Sequence, residues 1–370
     1  MKVIIAGGGT GGHLFPGIAL ATHITKKYPS SKVIFVGTEK GLEAKVIPNL
    51  GYELKLISAS GFVGKSINEK VKSLLKLLKS ISECKSIISS FLPDIVFGVG
   101  GYASLPMVFT ATLKKIPSII IEQNTVPGLA NKILGKFVDA IAITYSETMD
   151  YFPKEKVYLT GTPIRNDVLS GVREKALRIF NLEDGKMNLL IFGGSLGARK
   201  INKAVTEGLN YLFHLKDKIQ IIHQTGEMDY EWVEREYKKH SFRATVLPFI
   251  YDMAEAYALA DLIICRAGAS TVAEITALGK ASILIPYPYA AYNHQEINAR
   301  RLYSRGACEM ILDKDLNGRI ISEKINRIIT NPKIKREIEI ASFAFGKINA
   351  AEKVVEIGES IMRRKSYVSV

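Results

Sequence analysis

The stretch VIIAGGGTGGHLFP, residues 3–16, decides the first question about the fold. An apolar, β-branched run leads into glycines and then into a helical pattern, and Gly7, Gly9 and Gly12 have the G-x-G-x-x-G spacing. Glycines after a strand permit a tight turn and let the N–H groups of the next helix approach a phosphate, which the helix dipole favours. The stretch therefore predicts a strand, a phosphate-binding turn and a helix, without specifying which phosphate is bound.

The alternation of short apolar runs and helical patterns continues along the chain. Strands are predicted at residues 2–6, 32–37, 94–99, 118–122, 140–144 and 157–161, and then at 188–192, 220–223, 244–247, 261–265 and 281–285. Strands that alternate with helices indicate parallel, doubly wound sheets. The second series opens on its own glycine turn, GGSLGA at 193–198, as a partial repeat of the first. We therefore expect an α/β protein with two Rossmann-like domains.

The boundary between the domains is predicted at residues 160–175, where proline, glycine and polar residues interrupt the pattern. The chain of 370 residues also exceeds the size at which a single core stops growing. We assign residues 1–163 to the first domain and 164–370 to the second. Residues 332–364 are predicted to be helical, and this C-terminal tail could pack back on the first domain.

Composition is typical of a globular protein from a reducing compartment. Hydrophobic residues make up 47% of the chain and charged residues 23%. Cys84, Cys265 and Cys308 match no C-x-x-C spacing, so neither a disulfide framework nor a zinc site is indicated, and we expect no metal. The N-terminus lacks the apolar run of a signal peptide, and no run reaches the roughly 18 residues that span a bilayer. We expect a cytoplasmic protein whose membrane contact, if any, is peripheral.

The net charge of +14 points to an anionic partner: nucleic acid, anionic lipid or a phosphorylated small molecule. Residues 1–160 contain 19 lysines and 11 acidic residues but no arginine. Arginine is prominent in the bidentate reading of base edges, so an arginine-free half argues against nucleic acid. Phosphorylated substrates and anionic lipid remain.

A dinucleotide-dependent oxidoreductase or epimerase is one alternative. It would use residues 7–12 as the cofactor site, with Glu39, just after the second strand, at the ribose. Against it, His13 follows the turn where a pyrophosphate would lie, and further glycine turns occur at 98–104 and 193–198. One cofactor does not need three glycine turns in two domains. A phosphorylated donor and a phosphorylated acceptor do, so we expect no cofactor.

Two polar residues of the first domain follow strands at positions typical of a site. The positive end of the following helix disfavours an imidazolium at His13 and leaves a neutral ring that can act as a general base; the alternative is a capping or structural histidine. Asn124, in EQNTVPG at 122–128, would lie at the carboxyl edge of the sheet, where open α/β folds bind ligands. Its alternative is an Asx turn.

The stretch CRAGASTVAEITALG, residues 265–279, passes from a strand to a helix in the second domain. Thr271 and Glu274 have the spacing of a capping box, in which Glu274 would serve only as a cap. In the other interpretation the N–H groups of Ser270 and Thr271 hold a pyrophosphate, and Glu274 reaches ribose hydroxyls. Both interpretations fit the sequence.

Polar residues are also frequent after the next strand. In the aromatic-rich segment 287–299, Asn293 and Gln295 could bind sugar hydroxyls, although loop aromatics are also common without function. Asp313 and Asp315 imitate the D-x-D of metal–nucleotide sites but lie among turn residues, so we interpret them as a turn. Leaving-group charge would then be stabilised by helix N-termini and by cations such as Arg165.

An amphipathic helix is predicted within residues 64–88. Its apolar stripe comprises Ile67, Val71, Leu74, Leu75, Leu78 and Ile81, and the lysines opposite are Lys72, Lys76 and Lys79. The segment is either a crossover helix packed on its own sheet with a solvated lysine face, or a basic surface that docks on an anionic membrane.

Seven stretches together resemble the MurG family, the peripheral membrane N-acetylglucosaminyltransferases that convert lipid I to lipid II in peptidoglycan synthesis. They are GGGTGGHLFPGIALA, GVGGYASLP, IEQNTVPGLAN, GTPIR, GGSLGARKIN, CRAGASTVAEI and PYPYAAYNHQEINA. The similarity covers nearly the whole chain. It implies a GT-B fold, in which two Rossmann-like doubly wound domains face a cleft, and it implies metal-independent chemistry.

The resemblance also assigns the site, position by position, with His13 as the catalytic base. The donor site for UDP-N-acetylglucosamine would comprise Thr10, Gly11, Gly12, Asn124, Arg165, Ser195, Ile250, Ala269, Ser270, Thr271, Val272, Ala273, Glu274 and Gln295. The acceptor pyrophosphate would face Gly7, Gly8, Gly9, Gly100, Gly101 and Tyr102. The amphipathic stripe falls where such enzymes carry a membrane-facing patch, which favours its membrane interpretation.

The implied reaction is a single in-line displacement. The muramyl C4 hydroxyl of lipid I attacks the anomeric carbon of the donor, His13 accepts the proton, UDP leaves, and the α-linked donor gives a β-1,4 linkage. The implied partners are UDP-N-acetylglucosamine, lipid I, an anionic surface on the cytoplasmic side of the inner membrane, and other cell-wall synthesis and division proteins. A glycosyltransferase with another lipid acceptor and a noncatalytic nucleotide-sugar-binding module remain as alternatives.

Overall fold

The structure, a computed structural model, describes residues 1–59, 67–194 and 196–368, and the side chains within them except those of 67–75 and 366–368. The strands are β1 (Lys2–Gly7), β2 (Lys32–Gly37), β3 (Glu53–Leu56), β4 (Ile95–Gly100), β5 (Ser118–Glu122), β6 (Ala140–Ile143), β7 (Val157–Leu159), β8 (Met187–Phe192), β9 (Ile219–Gln224), β10 (Ala244–Leu247), β11 (Leu262–Cys265), β12 (Ser282–Leu284) and β13 (Glu309–Met310). The helices are α1 (Gly11–Lys27), α2 (Glu43–Asn49), α3 (Ile67–Phe91), α4 (Ser104–Leu113), α5 (Leu129–Leu134), α6 (Arg173–Ile179), α7 (Arg199–Gly208), α8 (Tyr230–Lys239), α9 (Met253–Leu259), α10 (Ala269–Ala277), α11 (His294–Tyr303), α12 (Gly318–Ile329), α13 (Pro332–Ala344) and α14 (Ala350–Val368). None of the described helices is long and apolar enough to cross a membrane.

The chain divides into two compact units, one of Met1–Arg165 with Lys347–Val370 and the other of Asn166–Gly346. Each unit contains one parallel sheet, in the order β3-β2-β1-β4-β5-β6-β7 in the first and β10-β9-β8-β11-β12-β13 in the second. In both, the winding direction reverses beside the unit's first strand. Ligands of open parallel sheets bind at the carboxyl ends of the strands at such a reversal. The prediction of two doubly wound Rossmann-like folds is confirmed.

The central strands are buried on both sides, which explains why they are nearly continuous apolar runs. Along β1, Val3 and Ile5 belong to the core on one face of the sheet, and Ile4 and Ala6 to the core on the other. Strand β8 divides its side chains between two cores in the same way. The two-residue period of a strand therefore builds two apolar layers per unit.

Eleven strands are present where the sequence predicts them, with bounds that differ by at most two residues. Two further strands, β3 and β13, lack the pattern that predicts the others, and each lies at an edge of its sheet. Glu53, Lys55 and Leu56 of β3 are exposed, so no buried apolar run marks that strand. Strand β13 has two residues and is defined by its pairing with β12. Tertiary pairing alone creates both.

The C-terminal helix α14 packs in the first unit. Val354 is fully buried in the core that also contains β1. A Cβ on Gly358 would stand 2.8 Å from a side chain of β4, so the helix lies close against the sheet. Glu359 accepts hydrogen bonds from Nζ of Lys27 at 2.7 Å and from the hydroxyl of Tyr28 at 2.6 Å. These contacts attach α14 to both α1 and the sheet.

We expect Val354→Ala to lower the free energy of unfolding by about 2 kcal/mol, because it removes methyl groups from a closed core and leaves a cavity. Thermal unfolding followed by circular dichroism measures the change. Glu356→Ala, on the exposed face of the same helix, is the control and should alter stability by less than about 0.5 kcal/mol. Equal unfolding midpoints for the two variants would contradict the burial of α14 in this core.

Candidate active site

The glycine turns after β1 and β4 interlock in the first unit. The N–H of Gly8 donates to the carbonyl oxygen of Gly100 at 3.2 Å. Gly7 and Gly100 have φ angles of +143° and +93°, and a Cβ on Gly7 would collide with the carbonyl of Gly100. Gly101, with φ of +82°, approaches the backbone of Gly8 as closely. Only glycine combines these dihedral angles with this approach.

The imidazole of His13 lies against the second of these turns. A Cβ on Gly100 would stand 2.6 Å from Cδ2 and 3.0 Å from Nε2 of the ring. Thr10, the residue before α1, has its hydroxyl oxygen 3.4 Å from Nδ1. The ring is half-buried, and the first turn of α1 contains no acidic residue. The ring therefore lies beside the start of α1 and against the glycine turn after β4.

A buried carboxylate organises the loop after β5. Glu122 accepts hydrogen bonds from the N–H groups of Asn124 at 3.0 Å and Gly128 at 3.2 Å, and from Nδ2 of Asn131 at 2.9 Å. Nδ2 of Asn124 is a further donor at 3.2 Å. Burial raises the pKa of Glu122, while these donors oppose the rise. Asn124 is thus held at the carboxyl edge of the sheet through both its backbone and its amide.

Arg165 stacks on the first helix of the same unit. Its guanidinium carbon lies 4.9 Å from the centre of the Phe15 ring, which is a cation–π distance. A Cβ on Gly11 would stand 2.9 Å from the same ring, so the cation is close to the start of α1. The first unit therefore brings His13, the two glycine turns and Arg165 into one neighbourhood.

The glycine turn after β8 repeats this arrangement in the second unit with different partners. Nε2 of Gln224 donates to the carbonyl of Gly194 at 2.8 Å, and its Oε1 accepts from the N–H of Ile250 at 2.8 Å. A Cβ on Gly197 would collide with the carbonyl of Thr225. One amide side chain thus joins the glycine turn to the predicted donor residue Ile250. The predicted donor residue Ser195 lies outside the described residues.

The start of α10 differs from the capping-box prediction. The helix begins at Ala269 with Gly268 as its N-cap, and its first intrahelical bond runs from the N–H of Val272 to the carbonyl of Gly268 at 2.9 Å. The N–H groups of Ala269, Ser270 and Thr271 precede that bond, as an anion site requires. The capping-box interpretation is wrong because Thr271 lies inside the helix.

Glu274 has a different role from a cap. It is buried on α10 and its Oε2 accepts a hydrogen bond from the hydroxyl of Tyr257 at 2.9 Å. Tyr257 is itself fully buried on α9. Tyr257 therefore orients the carboxylate from the neighbouring helix α9. Glu274 does not cap α10, whose N-cap is Gly268.

The loop before α11 is held in an unusual backbone conformation. Tyr292 and Asn293 have φ angles of +52° and +53°, in the left-handed region that a bulky residue such as tyrosine rarely adopts. The N–H of Tyr287 donates to Oε1 of Gln295 at 2.9 Å, and Nδ2 of Asn293 donates to Glu296 at 2.9 Å. Both predicted sugar-binding residues are therefore oriented by contacts within their own loop.

The D-x-D motif forms a short 3₁₀ turn, Asp313–Asp315. Asp313 pairs with Arg266 at 2.6 Å and with Lys200 at 3.1 Å. These two cations compensate its charge, and this agrees with the interpretation of the motif as a turn.

A buried polar network that the sequence pattern does not reveal lies beneath the second glycine turn. Nδ1 of His223 is 2.8 Å from the hydroxyl of Tyr237, and its Nε2 is 3.1 Å from Oδ1 of Asn202. Nδ2 of Asn202 donates to the carbonyl of Thr225 and to Asp229, both at 2.9 Å. Burial lowers the pKa of His223 to about 3, so the ring is neutral at physiological pH. The sequence signal is limited to the polar residues His223, Gln224 and Thr225 at the end of strand β9.

Among its described side chains, helix α3 buries residues that do not belong to the predicted apolar stripe. Ser80, Cys84 and Ile88 are buried, the last two in the core that contains one face of the sheet. Leu78 of the stripe is 59% exposed, and Ile81 is half-buried. The crossover helix thus packs through one face and leaves part of its apolar stripe in solvent.

The exposed residues of α3 include both apolar and basic side chains. Lys76 and Lys79 are exposed on the same helix as Leu78. Helix α4 packs on α3 and α5 packs on α4, and these two helices expose Leu113 and Ile133. The side chains of five other residues of the predicted stripe and its lysines lie outside the described ones: Ile67, Val71, Lys72, Leu74 and Leu75.

Comparisons with known proteins agree with this architecture. A model described as the glycosyltransferase family 28 N-terminal domain matches residues 3–143, and the corresponding C-terminal domain model matches residues 188–354. The chain is 70% identical over 365 residues to the UDP-N-acetylglucosamine--N-acetylmuramyl-(pentapeptide) pyrophosphoryl-undecaprenol N-acetylglucosamine transferase of Thermodesulfovibrio yellowstonii, which covers 99% of this chain and 100% of the relative. The chain belongs to the MurG family.

Further members of the MurG family match at greater distance. A transferase of the same name from Citrifermentans bemidjiense is 47% identical over 355 residues, covering 96% of this chain and 98% of the relative. The crystal structure of Acinetobacter baumannii MurG superposes with a TM-score of 0.76 at 28% identity and covers 97% of this chain and 99% of that chain. The predicted GT-B fold class, the family and its glycosyltransferase activity are confirmed.

We expect Gly100→Ala to reduce kcat for sugar transfer at least about tenfold, because the new methyl group would displace the His13 ring and strain a backbone with positive φ. Steady-state transfer of labelled N-acetylglucosamine measures the loss. Gly51→Ala is the matched control: φ there is +78°, but nothing lies within 4 Å of the new Cβ. If both variants lost the same activity, backbone strain rather than contact with His13 would be responsible.

Proposed function

We infer that the chain transfers N-acetylglucosamine from UDP-N-acetylglucosamine to the C4 hydroxyl of the muramyl sugar of lipid I, and so forms β-1,4-linked lipid II and UDP. The observation that carries this inference is the 70% identity along the full length to a transferase of that name. The two glycine-turn neighbourhoods, one in each unit, fit a reaction with two phosphorylated substrates.

In the first unit, the interlocked glycine turns after β1 and β4 present backbone without side chains, which lets the acceptor pyrophosphate approach closely. We assign this anion to Gly7, Gly8, Gly9, Gly100, Gly101 and Tyr102. His13 accepts the proton of the C4 hydroxyl as that oxygen bonds to the anomeric carbon. The bond from the anomeric carbon to the UDP oxygen breaks, and its electron pair leaves with UDP. Because the hydroxyl attacks from the side opposite to UDP, the anomeric centre is inverted.

In the second unit, the start of α10 and the glycine turn after β8 suit the UDP portion of the donor. The N–H groups of Ala269, Ser270 and Thr271 would receive the diphosphate, and Glu274, oriented by Tyr257, would take ribose hydroxyls. Gln295 would bind the sugar. The remaining proposed donor residues are Thr10, Gly11, Gly12, Asn124, Arg165, Ser195, Ile250, Val272 and Ala273. Helix N-termini and Arg165 would stabilise the charge on departing UDP.

The direct test is transfer of labelled N-acetylglucosamine from UDP to a short-chain lipid I analogue in the presence of EDTA. Labelled disaccharide-lipid would support both the acceptor and the metal-independent reaction. A protein that binds UDP-N-acetylglucosamine but transfers nothing, even after divalent metal is restored, would contradict the acceptor assignment. Binding of NADH in a parallel titration would favour the dinucleotide alternative.

We expect His13→Ala to lower kcat by about 10²- to 10⁴-fold, because it removes the proposed general base. The Kd for UDP, measured by calorimetry, should stay unchanged. His23→Ala, ten positions further along the same helix, should keep wild-type kcat. Near-normal turnover by the His13 variant would remove this residue from the role.

We further propose that the exposed surface of α3, α4 and α5 docks on the anionic cytoplasmic face of the inner membrane. Exposed Leu78, Leu113 and Ile133 supply apolar contacts, and Lys76 and Lys79 supply positive charge. The resemblance to the family extends this proposal to cell-wall synthesis and division proteins as partners.

We expect Leu78→Asp to reduce binding to phosphatidylglycerol vesicles several-fold, because it puts a charge where an apolar side chain would enter the lipid. Sedimentation with the vesicles measures the bound fraction, and transfer to a water-soluble acceptor should be unchanged. Leu50→Asp changes a leucine of similar exposure, 50% against 59%, at the end of α2. Equal vesicle binding by the two variants would overturn the docking surface.

A further inference from the structure

A second buried carboxylate, Glu43, contacts the first glycine turn. It is the first residue of α2 and is 1% exposed. Its Oε2 accepts the N–H of Gly9 at 2.6 Å, and its Oε1 accepts the N–H of Thr38 at 2.8 Å and the hydroxyl of Thr38 at 3.0 Å. One side chain therefore ties the turn after β1 to the turn after β2.

The surrounding backbone leaves space for this carboxyl group. A Cβ on Gly8, on Gly37 or on Gly41 would overlap the side chain of Glu43. Gly37 and Gly41 have no positive φ, so glycine is required there because a side chain would occupy the space of the Glu43 carboxyl group, and not because of the dihedral angle. Three glycines from two turns thus surround one carboxylate.

This arrangement differs from that of a dinucleotide site, where an acid after the second strand binds the ribose of the cofactor. Here Glu43, at the start of α2, is turned inward and both of its oxygens accept hydrogen bonds from the protein, whereas Glu39, the acid just after β2, is exposed. The N–H of Gly8 is likewise occupied by the carbonyl of Gly100. The N–H groups of Gly11 and Gly12, at the start of α1, have no partner within the helix and remain for an anion.

We propose that Glu43 is a positioning residue for the acceptor. By accepting the N–H of Gly9 it holds in one geometry the turn Gly7–Gly9, which is assigned above to the acceptor pyrophosphate. This inference rests on the proposed function, because the ligand it positions is the lipid-linked pyrophosphate of that reaction. Glu43 does not touch either substrate, and its effect passes through the glycine turn.

The test is Glu43→Gln, which keeps the shape of the side chain but replaces one accepting oxygen with an amide group. In either orientation of the amide, its NH₂ group would face a backbone N–H, that of Gly9 or that of Thr38. Two donors cannot form a hydrogen bond with each other, so one of the two contacts is lost. We expect kcat/KM for a short-chain lipid I analogue to fall about 10- to 100-fold, with most of the change in the KM for that acceptor. The KM for UDP-N-acetylglucosamine should stay within about twofold, because its proposed phosphate site lies on the second unit.

The matched control is Asp139→Asn in the same unit. Asp139 also accepts a backbone N–H and a hydroxyl from one residue, Ser118, at 2.9 and 3.4 Å, at the start of strand β5 and away from the glycine turns. It additionally pairs with Lys365 at 2.9 Å, so its variant should lose at least as much stability as the Glu43 variant. Thermal unfolding of both variants measures the cost in stability. Comparable melting temperatures with a raised acceptor KM only in the Glu43 variant would support the proposal.

An unchanged acceptor KM in Glu43→Gln, or an equal loss in both variants, would overturn it in favour of a purely structural role. The wild-type protein in the same assay keeps the two inferences apart. If the wild type transferred no sugar to lipid I, the proposed function would fail. If the wild type transferred sugar and the Glu43 variant matched it, only the positioning role would fail.

Discussion

The backbone contact between the turns after β1 and β4 is the constraint on which the candidate site of the first unit depends. Adjacent parallel strands end about 4.8 Å apart, so the segments that follow them must diverge or interlock. Here Gly8 and Gly100 interlock through an N–H to carbonyl hydrogen bond at 3.2 Å. That approach fixes where α1 begins, and therefore where the His13 ring rests on Gly100. A side chain larger than hydrogen in this contact would move the helix start and the histidine together.

Buried carboxylates then hold the segments that the glycines make possible. Glu43 accepts donors from the turns after β1 and β2, and Glu122 accepts donors from the loop after β5. Burying a carboxylate is costly unless hydrogen bonds compensate it, and each of these has at least three. The result is a set of turns whose backbone is held in place by the protein itself, and such preorganisation suits the stabilisation of developing charge in the proposed reaction.

The second unit has the same topology but supports its glycine turn with an amide in place of a carboxylate. Its glycine turn is held by the amide of Gln224 and lies over a network of His223, Asn202 and Tyr237. The repeat visible in the sequence therefore extends to the strand, turn and helix but not to the buried polar groups that support them.

The amino-acid sequence by itself determined the features that depend on local pattern: eleven strands, the three glycine turns, the position of His13 at a helix start and the winding of both sheets. It did not determine β3 and β13, which exist through pairing at sheet edges, nor the start of α10, where Thr271 lies inside the helix. The supporting acids were also decided only by tertiary structure. Glu43 and Gly9 are separated by 34 positions, and nothing local to either residue specifies the other. A strand or turn carries its own period and dihedral angles, whereas a buried polar group is defined by the donor that folding brings to it.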